Sequence, residues 1–356
     1  MLKNRRFYLN PFFEEFSLNA ILFTDLRNIR FLCGFTGSEG ALLITPGQAW
    51  FLCDSRYTAQ AAEEVQGAEV RECGAVRIET IAALAAEQSL DRIGFEAAHT
   101  TVSSYRRLSE KLNNIELIEL GPRLDEIRIR KDSAETNLLS AVATLSSLSL
   151  TAILSAIKPG VREVEVALAL ELEMRRRGAD GKAFDFIVAS GERGAMPHGV
   201  ASNKIIQFGE LVTIDFGALK DGYHSDETVT VACGKPELQA EEIHSIVRAA
   251  HDLAISAVRP GISCKDLDEI ARGYIREKGY EEYFGHGLGH GIGLEVHEMP
   301  TLSPRSTALL DEGMVITIEP GIYIPGFGGV RIEDTVVVTG DGCAVLTSAD
   351  KRLLVL

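Results

Sequence analysis

The chain lacks what would hold a nucleic acid or an anionic membrane surface. Its 36 Lys and Arg are outnumbered by 51 Asp and Glu, for a net charge of −15, and no basic run is present to neutralise phosphates. No run approaches 18 apolar residues, so no membrane span is expected. The basic start Met1-Leu2-Lys3-Asn4-Arg5-Arg6 leads into Asn10-Pro11 and Glu14-Glu15, which interrupt the apolar segment of an export signal. The six cysteines, at 33, 53, 73, 233, 264 and 343, form no CxxC pair and no tight framework. Free thiols in a cytoplasmic protein are the expectation, rather than disulfides or a zinc site. The glycine signatures of nucleotide binding are missing too: there is no GxGxxG register and no GxxxxGK[ST]. His297-Glu298 is followed by Thr301 where HExxH needs its second His.

What is present describes a globular chain, 46% hydrophobic and 24% charged, whose 356 residues exceed one average core. The first 120 or so residues alternate strand and helix signals. Ala41 to Thr45 and Ala49 to Cys53 flank the turn Pro46-Gly47-Gln48, and Asp54 or Ser55 is placed to cap a helix through Val65. Arg92 to Phe95 and Ile115 to Leu120 read as further strands around a helix from Val102 to Leu112. Gly121-Pro122 breaks this pattern. Asp132, with Glu135 three residues later, then reads as a capping box opening a long helix whose Leu138, Val142, Leu145 and Leu148 share a face. Two domains are expected, 1–125 and 126–356.

The second domain contains a repeat. VTIDFGALKDGYHSDETVTV carries Asp215 and Asp226, and ITIEPGIYIPGFGGVRIEDTVVV carries Glu319 and Glu333. Aligning Asp215 with Glu319 matches Gly217 to Gly321; aligning Asp226 with Glu333 matches Thr228-Val229 to Thr335-Val336. Upstream, Pro159-Gly160 opens a helical stretch ending near Gly178 and Pro260-Gly261 opens another ending near Gly279, each glycine pair 18 residues apart. Each half therefore runs helix, variable segment, acidic hairpin.

One acid in an apolar, Val/Ile/Thr-rich segment reads as a surface residue of an edge strand. Four at matched places suggest one shared site. Buried together, they would be neutralised by repulsion and desolvation unless cations intervened. A loop with two imidazoles among five glycines, Gly285-His286-Gly287-Leu288-Gly289-His290-Gly291-Ile292-Gly293, adds nitrogen ligands, and His297 follows. Its glycines let backbone crowd a small centre and tolerate positive φ. Four carboxylates and one imidazole make an oxygen-dominated set that suits Mn²⁺ and admits Co²⁺, Zn²⁺ or Fe²⁺. Two divalent ions offset the four charges. A pair roughly 3.5–4 Å apart activates water and polarises a carbonyl, which is amide-hydrolysis chemistry.

IDFGALKDGYHSDET, GHGLGHGIGLEVHE, ITIEPGIY and GVRIED resemble the motifs of the pita-bread-fold metallopeptidases: aminopeptidase P, Xaa-Pro dipeptidase (prolidase) and methionine aminopeptidase. The resemblance covers about residues 130 to 345. It implies that Asp215 and Asp226 hold one metal, that His290 and Glu319 hold the other, and that Asp226 and Glu333 bridge them. By the same resemblance Glu319 is the catalytic glutamate, relaying a proton from the nucleophile to the leaving nitrogen. His198 and His297 flank the substrate and stabilise the tetrahedral intermediate. His286, Tyr323 and Arg331 match second-sphere or substrate-contacting positions, Arg331 being either a salt-bridge partner of Glu333 or a contact of the peptide.

NIRFLCGFTGS from Asn28 and DSRYTAQ from Asp54 look like the N-terminal domain shared by aminopeptidase P, prolidase and creatinase, which in that family often packs beside a second subunit. The implied fold is α/β (α+β), a mixed α/β N-terminal domain before a pseudo-twofold pita-bread catalytic domain. The implied protein is a cytoplasmic homodimer that binds two divalent metal ions, most readily Mn²⁺, and cleaves short proline-containing peptides. The GFTGS and DSRYTAQA segments lean towards a Xaa-Pro aminopeptidase, with the Xaa-Pro dipeptidase as the alternative. Creatinase, a metal-free C–N hydrolase, does not keep the five ligands, and a non-catalytic binding module would have lost some. One departure stands out: many relatives have Arg where this chain has Val229. His99, His244 and His251 fit polar surfaces, the last two on one helix face, and an adjacent pleat points His224 away from Asp226.

Overall fold

The computed structural model describes residues 2–74 and 76–356. The chain divides into two compact units, Met1–Arg128 and Ile129–Leu356.

The first unit is a six-stranded sheet in the order Glu69–Glu72, Ala49–Cys53, Ala41–Ile44, Ala20–Phe23, Arg92–Phe95, Glu116–Glu119. Only Ala41–Ile44 runs antiparallel to its neighbours. Thr45 N–H donates to Gln48 O at 2.9 Å, closing the hairpin at Pro46-Gly47. The helix after it spans Thr58–Glu64, later than an Asp54 or Ser55 cap would start it; Asp54 instead accepts from the Arg56 backbone N–H at 2.9 Å. The central strands are buried along their whole length, as continuous apolar runs covered on both faces should be.

In the second unit each half repeats one plan. The helix Glu163–Arg176 precedes the strands Ile187–Ser190, Leu211–Phe216 and Glu227–Ala232, which form one antiparallel sheet. The helix Cys264–Glu277 precedes Gly289–Gly291, Val315–Ile318 and Asp334–Val338, which do the same with Glu298–Leu302 and Cys343–Val345 at the edges. Gly160 and Gly261 have φ +91 and +84 ahead of the two helices, a conformation that costs glycine little and other residues more. The two sheets meet where Thr228 bridges Glu333, the Glu333 N–H donating to Thr228 O at 3.1 Å.

The core of the second half gathers Ile243, Val247 and Ala250 of helix Leu238–Ala257, Leu267, Ala271 and Ile275 of the next helix, and Ile316, Ile318 and Val336 of the sheet. Each of the Ile, Val and Leu side chains contributes about 1.5–3 kcal/mol by leaving water. This buried core backs the strands that carry the site.

The capping box on helix Ser133–Ile153 is present: Asp132 accepts from Glu135 N and Glu135 from Asp132 N. Val142 and Leu145 are buried, but Leu138 and Leu148 are exposed. The inward face instead includes Ser146, Ser147 and Ser149, because Ser147 Oγ serves a buried carboxylate, Glu227 Oε2, at 2.5 Å. By length and composition this helix could cross a membrane, but half of its apolar window is buried inside the molecule. It is a core helix of this unit.

Candidate metal centre

Strand ends position the four acids. Asp215 is the fifth residue of Leu211–Phe216 and Glu319 follows Val315–Ile318, whereas Asp226 and Glu333 directly precede Glu227–Ala232 and Asp334–Val338. His290 comes from Gly289–Gly291, beside Val315–Ile318. One ligand atom from each of Asp226, His290 and Glu333 lies within 4.8 Å of the other two. His290 Nε2 is 3.4 Å from Glu319 Oε1 and 3.7 Å from Asp226 Oδ2. Thr228 Oγ1 donates to Glu333 Oε2 at 2.6 Å, and Thr317 Oγ1 to Glu319 Oε1 at 3.3 Å.

The glycines of the histidine loop serve close approach. A Cβ on Gly289 would lie 2.1 Å from Thr317 O, and one on Gly291 2.2 Å from Met299 O. None of the loop's glycines has positive φ, so backbone proximity rather than left-handed conformation selects Gly287, Gly289 and Gly291. His290 Nδ1 faces Gly291 O at 3.0 Å. With its proton there, Nε2 turns a lone pair towards the carboxylates, as a metal ligand must.

The residues fit divalent cations. Asp215 Oδ1 and Glu333 Oε1 are buried and have no hydrogen-bond partner, and unpaired buried oxygens cost free energy unless something fills them. Without a cation, burial and the neighbouring Glu333 and Asp215 push the Asp226 carboxyl well up, and burial with Glu319 and Asp215 does the same to Glu333. Burial raises Glu319 to about 7 against the opposing pull of Arg331. Burial also lowers His290 and His297, keeping both imidazoles neutral. The site is built for positive charge, part of which the protein itself supplies through Arg331.

The other expected residues gather around this cluster. His297 packs its ring 4.4 Å from that of His290. His286 Nε2 meets Tyr323 OH at 2.8 Å, and Arg331 Nη1 donates to the same hydroxyl at 2.9 Å. His198 is exposed on the segment after Gly191–Ala195, and Arg331 Nη1 holds the preceding Pro197 O at 3.1 Å. Arg331 pairs with Asp215, Nη2 to Oδ2 at 2.5 Å, so the carboxylate it orients is Asp215 and not Glu333. Val229 is buried on the strand face opposite Thr228 and Thr230.

Two histidines depart from their expected surface places. His244 and His251 are both buried. Burial lowers His244 to about 4, and His251 Nε2 sits 3.2 Å from Asp334 Oδ2, though not aligned as a hydrogen bond. Their helix faces the strands behind the acids. Thr228 and Thr317 are contacts whose role the sequence did not announce, since threonine in a strand is ordinary; the available signal was that each recurs in the other half, Thr228 with Thr335 two residues after an acid and Thr317 with Thr213 two residues before one.

Residues 137–340 match the model of Metallopeptidase family M24, and residues 6–130 that of the Creatinase/Prolidase N-terminal domain. The structure is similar to that of an Xaa-Pro dipeptidase from Bacillus anthracis, with TM-score 0.98 and 42% identity over 100% of both chains. An X-Pro aminopeptidase from Thermotoga maritima MSB8 aligns with TM-score 0.91 and 38% identity, over 96% of this chain and 99% of that one. The curated Xaa-Pro dipeptidase of Pyrococcus horikoshii is 38% identical over 96% of each sequence. With Asp226, His290 and Glu333 clustered where the two half-sheets meet and Glu319 beside His290, the chain belongs to Metallopeptidase family M24 and is a peptidase.

Proposed function

We propose that this metallopeptidase is an Xaa-Pro dipeptidase, hydrolysing the bond before proline in dipeptides with two divalent ions held by Asp215, Asp226, His290, Glu319 and Glu333. The observation that carries the specificity is likeness over the whole chain to the Bacillus anthracis dipeptidase. The GFTGS and DSRYTAQA segments lean the other way, and similarity to the Thermotoga maritima X-Pro aminopeptidase keeps that activity as the second reading.

Divalent ions bound there supply polarisation of the scissile carbonyl and a nucleophilic water at neutral pH. The protein's own groups do the rest. In this reading Glu319 takes the proton from the attacking water and passes it to the leaving nitrogen, a task suited to a carboxylate held beside the nucleophile. His297 and His198 donate to the oxygen on which charge develops, the former kept neutral by burial. Arg331, tied to Asp215, Tyr323 OH and Pro197 O, fixes one wall of the cleft. A proline amide has no N–H for the site to grip, so the ring is recognised by shape.

Mn²⁺ is the proposed ion, on the oxygen-rich donor set. Six free thiols suit a reducing cytoplasm. A homodimer and two domains, 1–125 and 126–356, complete the proposal. The test is hydrolysis by chelator-stripped protein restored with Mn²⁺, comparing Xaa-Pro with Xaa-Pro-Yaa. Turnover confined to the dipeptide is expected; comparable kcat/KM on the tripeptide would reassign the chain as an aminopeptidase.

A further inference from the structure

Directly behind the acid cluster lies a second charged group that hydrolysis does not use. Glu227 follows Asp226, and Asp334 follows Glu333. Successive side chains of an extended strand point to opposite faces, so when 226 and 333 face the site, 227 and 334 face away from it. Both are buried, Glu227 completely. A single ammonium reaches both: Lys351 Nζ is 2.6 Å from Glu227 Oε1 and 3.1 Å from Asp334 Oδ1. Lys351 is itself buried, with 8% of its side chain exposed.

The segment carrying Lys351 is fastened to the same two carboxylates. Ala349 N–H donates to Glu227 Oε1 at 2.9 Å, Ser348 N–H to Ser147 Oγ at 2.9 Å, and Thr347 Oγ1 to Asp334 Oδ1 at 2.6 Å. Across the junction the two halves touch through the bridge of Thr228 with Glu333 and through Thr335 Oγ1, which donates to Asp226 O at 2.8 Å. Glu227 and Asp334 are matched positions of the repeat, one from each half, but the lysine joining them lies outside it. Two buried carboxylates facing one another would push the half-sheets apart; one shared ammonium draws them together.

We propose that Lys351 is a positioning residue of the metal centre: by binding Glu227 and Asp334 at once, it sets the separation of their chain neighbours Asp226 and Glu333, the two carboxylates read as bridging. The inference rests on that reading of the centre. It makes the C-terminal segment 347–351 part of the apparatus that holds the ions.

The experiment compares wild-type protein with Lys351→Met by calorimetric titration of Co²⁺ into metal-free protein, by the visible spectrum of the Co²⁺ form, and by kcat and KM on an Xaa-Pro dipeptide. At least a tenfold loss of Co²⁺ affinity is expected, with an altered spectrum and a fall in kcat larger than any change in KM. If Lys351→Met does not fold, the triple variant Lys351→Met/Glu227→Gln/Asp334→Asn removes the repulsion; it is expected to fold and still bind Co²⁺ at least tenfold more weakly. A folded variant that takes up two Co²⁺ with wild-type affinity and spectrum would overturn the proposal, even with a lower melting temperature, because Lys351 would then only stabilise the fold. Wild-type protein that takes up no Co²⁺ would overturn the metal centre and this role together.

Discussion

At the scale of single residues, the acids are where this chain departs from ordinary strand chemistry. Asp226 and Glu333 are almost fully buried, and Glu333 Oε1, like Asp215 Oδ1 beside it, has no hydrogen-bond partner within the protein. The consequence can be measured as a proton balance. Because Asp226, Glu319 and Glu333 are raised without a cation, Glu319 to about 7, metal uptake near neutral pH must expel protons. Calorimetry in buffers of different ionisation enthalpy should show that release, with affinity rising from pH 6 to 7; a buffer-independent heat would contradict it. The sign for stability follows. A carboxyl raised in the fold stabilises the metal-free protein below its ordinary value of 4.5, and that contribution is lost as pH rises towards about 7. Metal-free protein should therefore melt at a lower temperature at pH 7 than at pH 5 by this contribution, and bound metal should cancel the trend. Glu319→Gln, which keeps shape and loses the proton-accepting oxygen, should lower kcat by about 10²–10⁴-fold with an unchanged circular dichroism spectrum. Appreciable residual turnover would remove Glu319 from proton transfer.

At the scale of elements, the repeat was legible because its turns and acids are both loud: glycines bounding helices, carboxylates in apolar strands. What it could not reveal was which face each strand turns inward. On Ser133–Ile153 the apolar spacing selected Leu138 and Leu148, which are exposed, because the buried face includes Ser146, Ser147 and Ser149, of which Ser147 attends Glu227. Ala20–Phe23 and Glu69–Glu72 in the first unit were silent for opposite reasons, one a four-residue apolar run too short to show a period, the other an edge strand with Val70 as its one apolar residue. The element carrying His198 is held by a group the sequence also hid. Glu163, the first residue of its helix and fully buried, accepts from Ser190 N and Oγ at 2.8 and 2.9 Å and from Ser202 Oγ at 2.7 Å, and it pairs with Arg193. Glu163→Ala should cost about 3–5 kcal/mol in urea unfolding, since it strands those donors and the guanidinium; a loss under 1 kcal/mol would show that the segment repacks without it. Gly291→Ala should cost on the order of 1–3 kcal/mol, because the new methyl must displace Met299 O.

At the scale of the whole molecule, two compact units were expected from length and from the Gly121-Pro122 break, and the mixed character of helices and sheets was readable from the alternating signals. The catalytic chemistry was readable because one fold brings equivalent carboxylates from two half-sheets to a common point, a juxtaposition that only the repeat encodes. The specificity was not: nothing in four acids and an imidazole distinguishes a dipeptide from a longer one. The central claim is that both halves together hold two cations between Asp215, Asp226, His290, Glu319 and Glu333. Anomalous diffraction from crystals grown with Mn²⁺ tests it most directly: two peaks among those five side chains are predicted, and none there, or peaks elsewhere with the carboxylates turned apart, would contradict it.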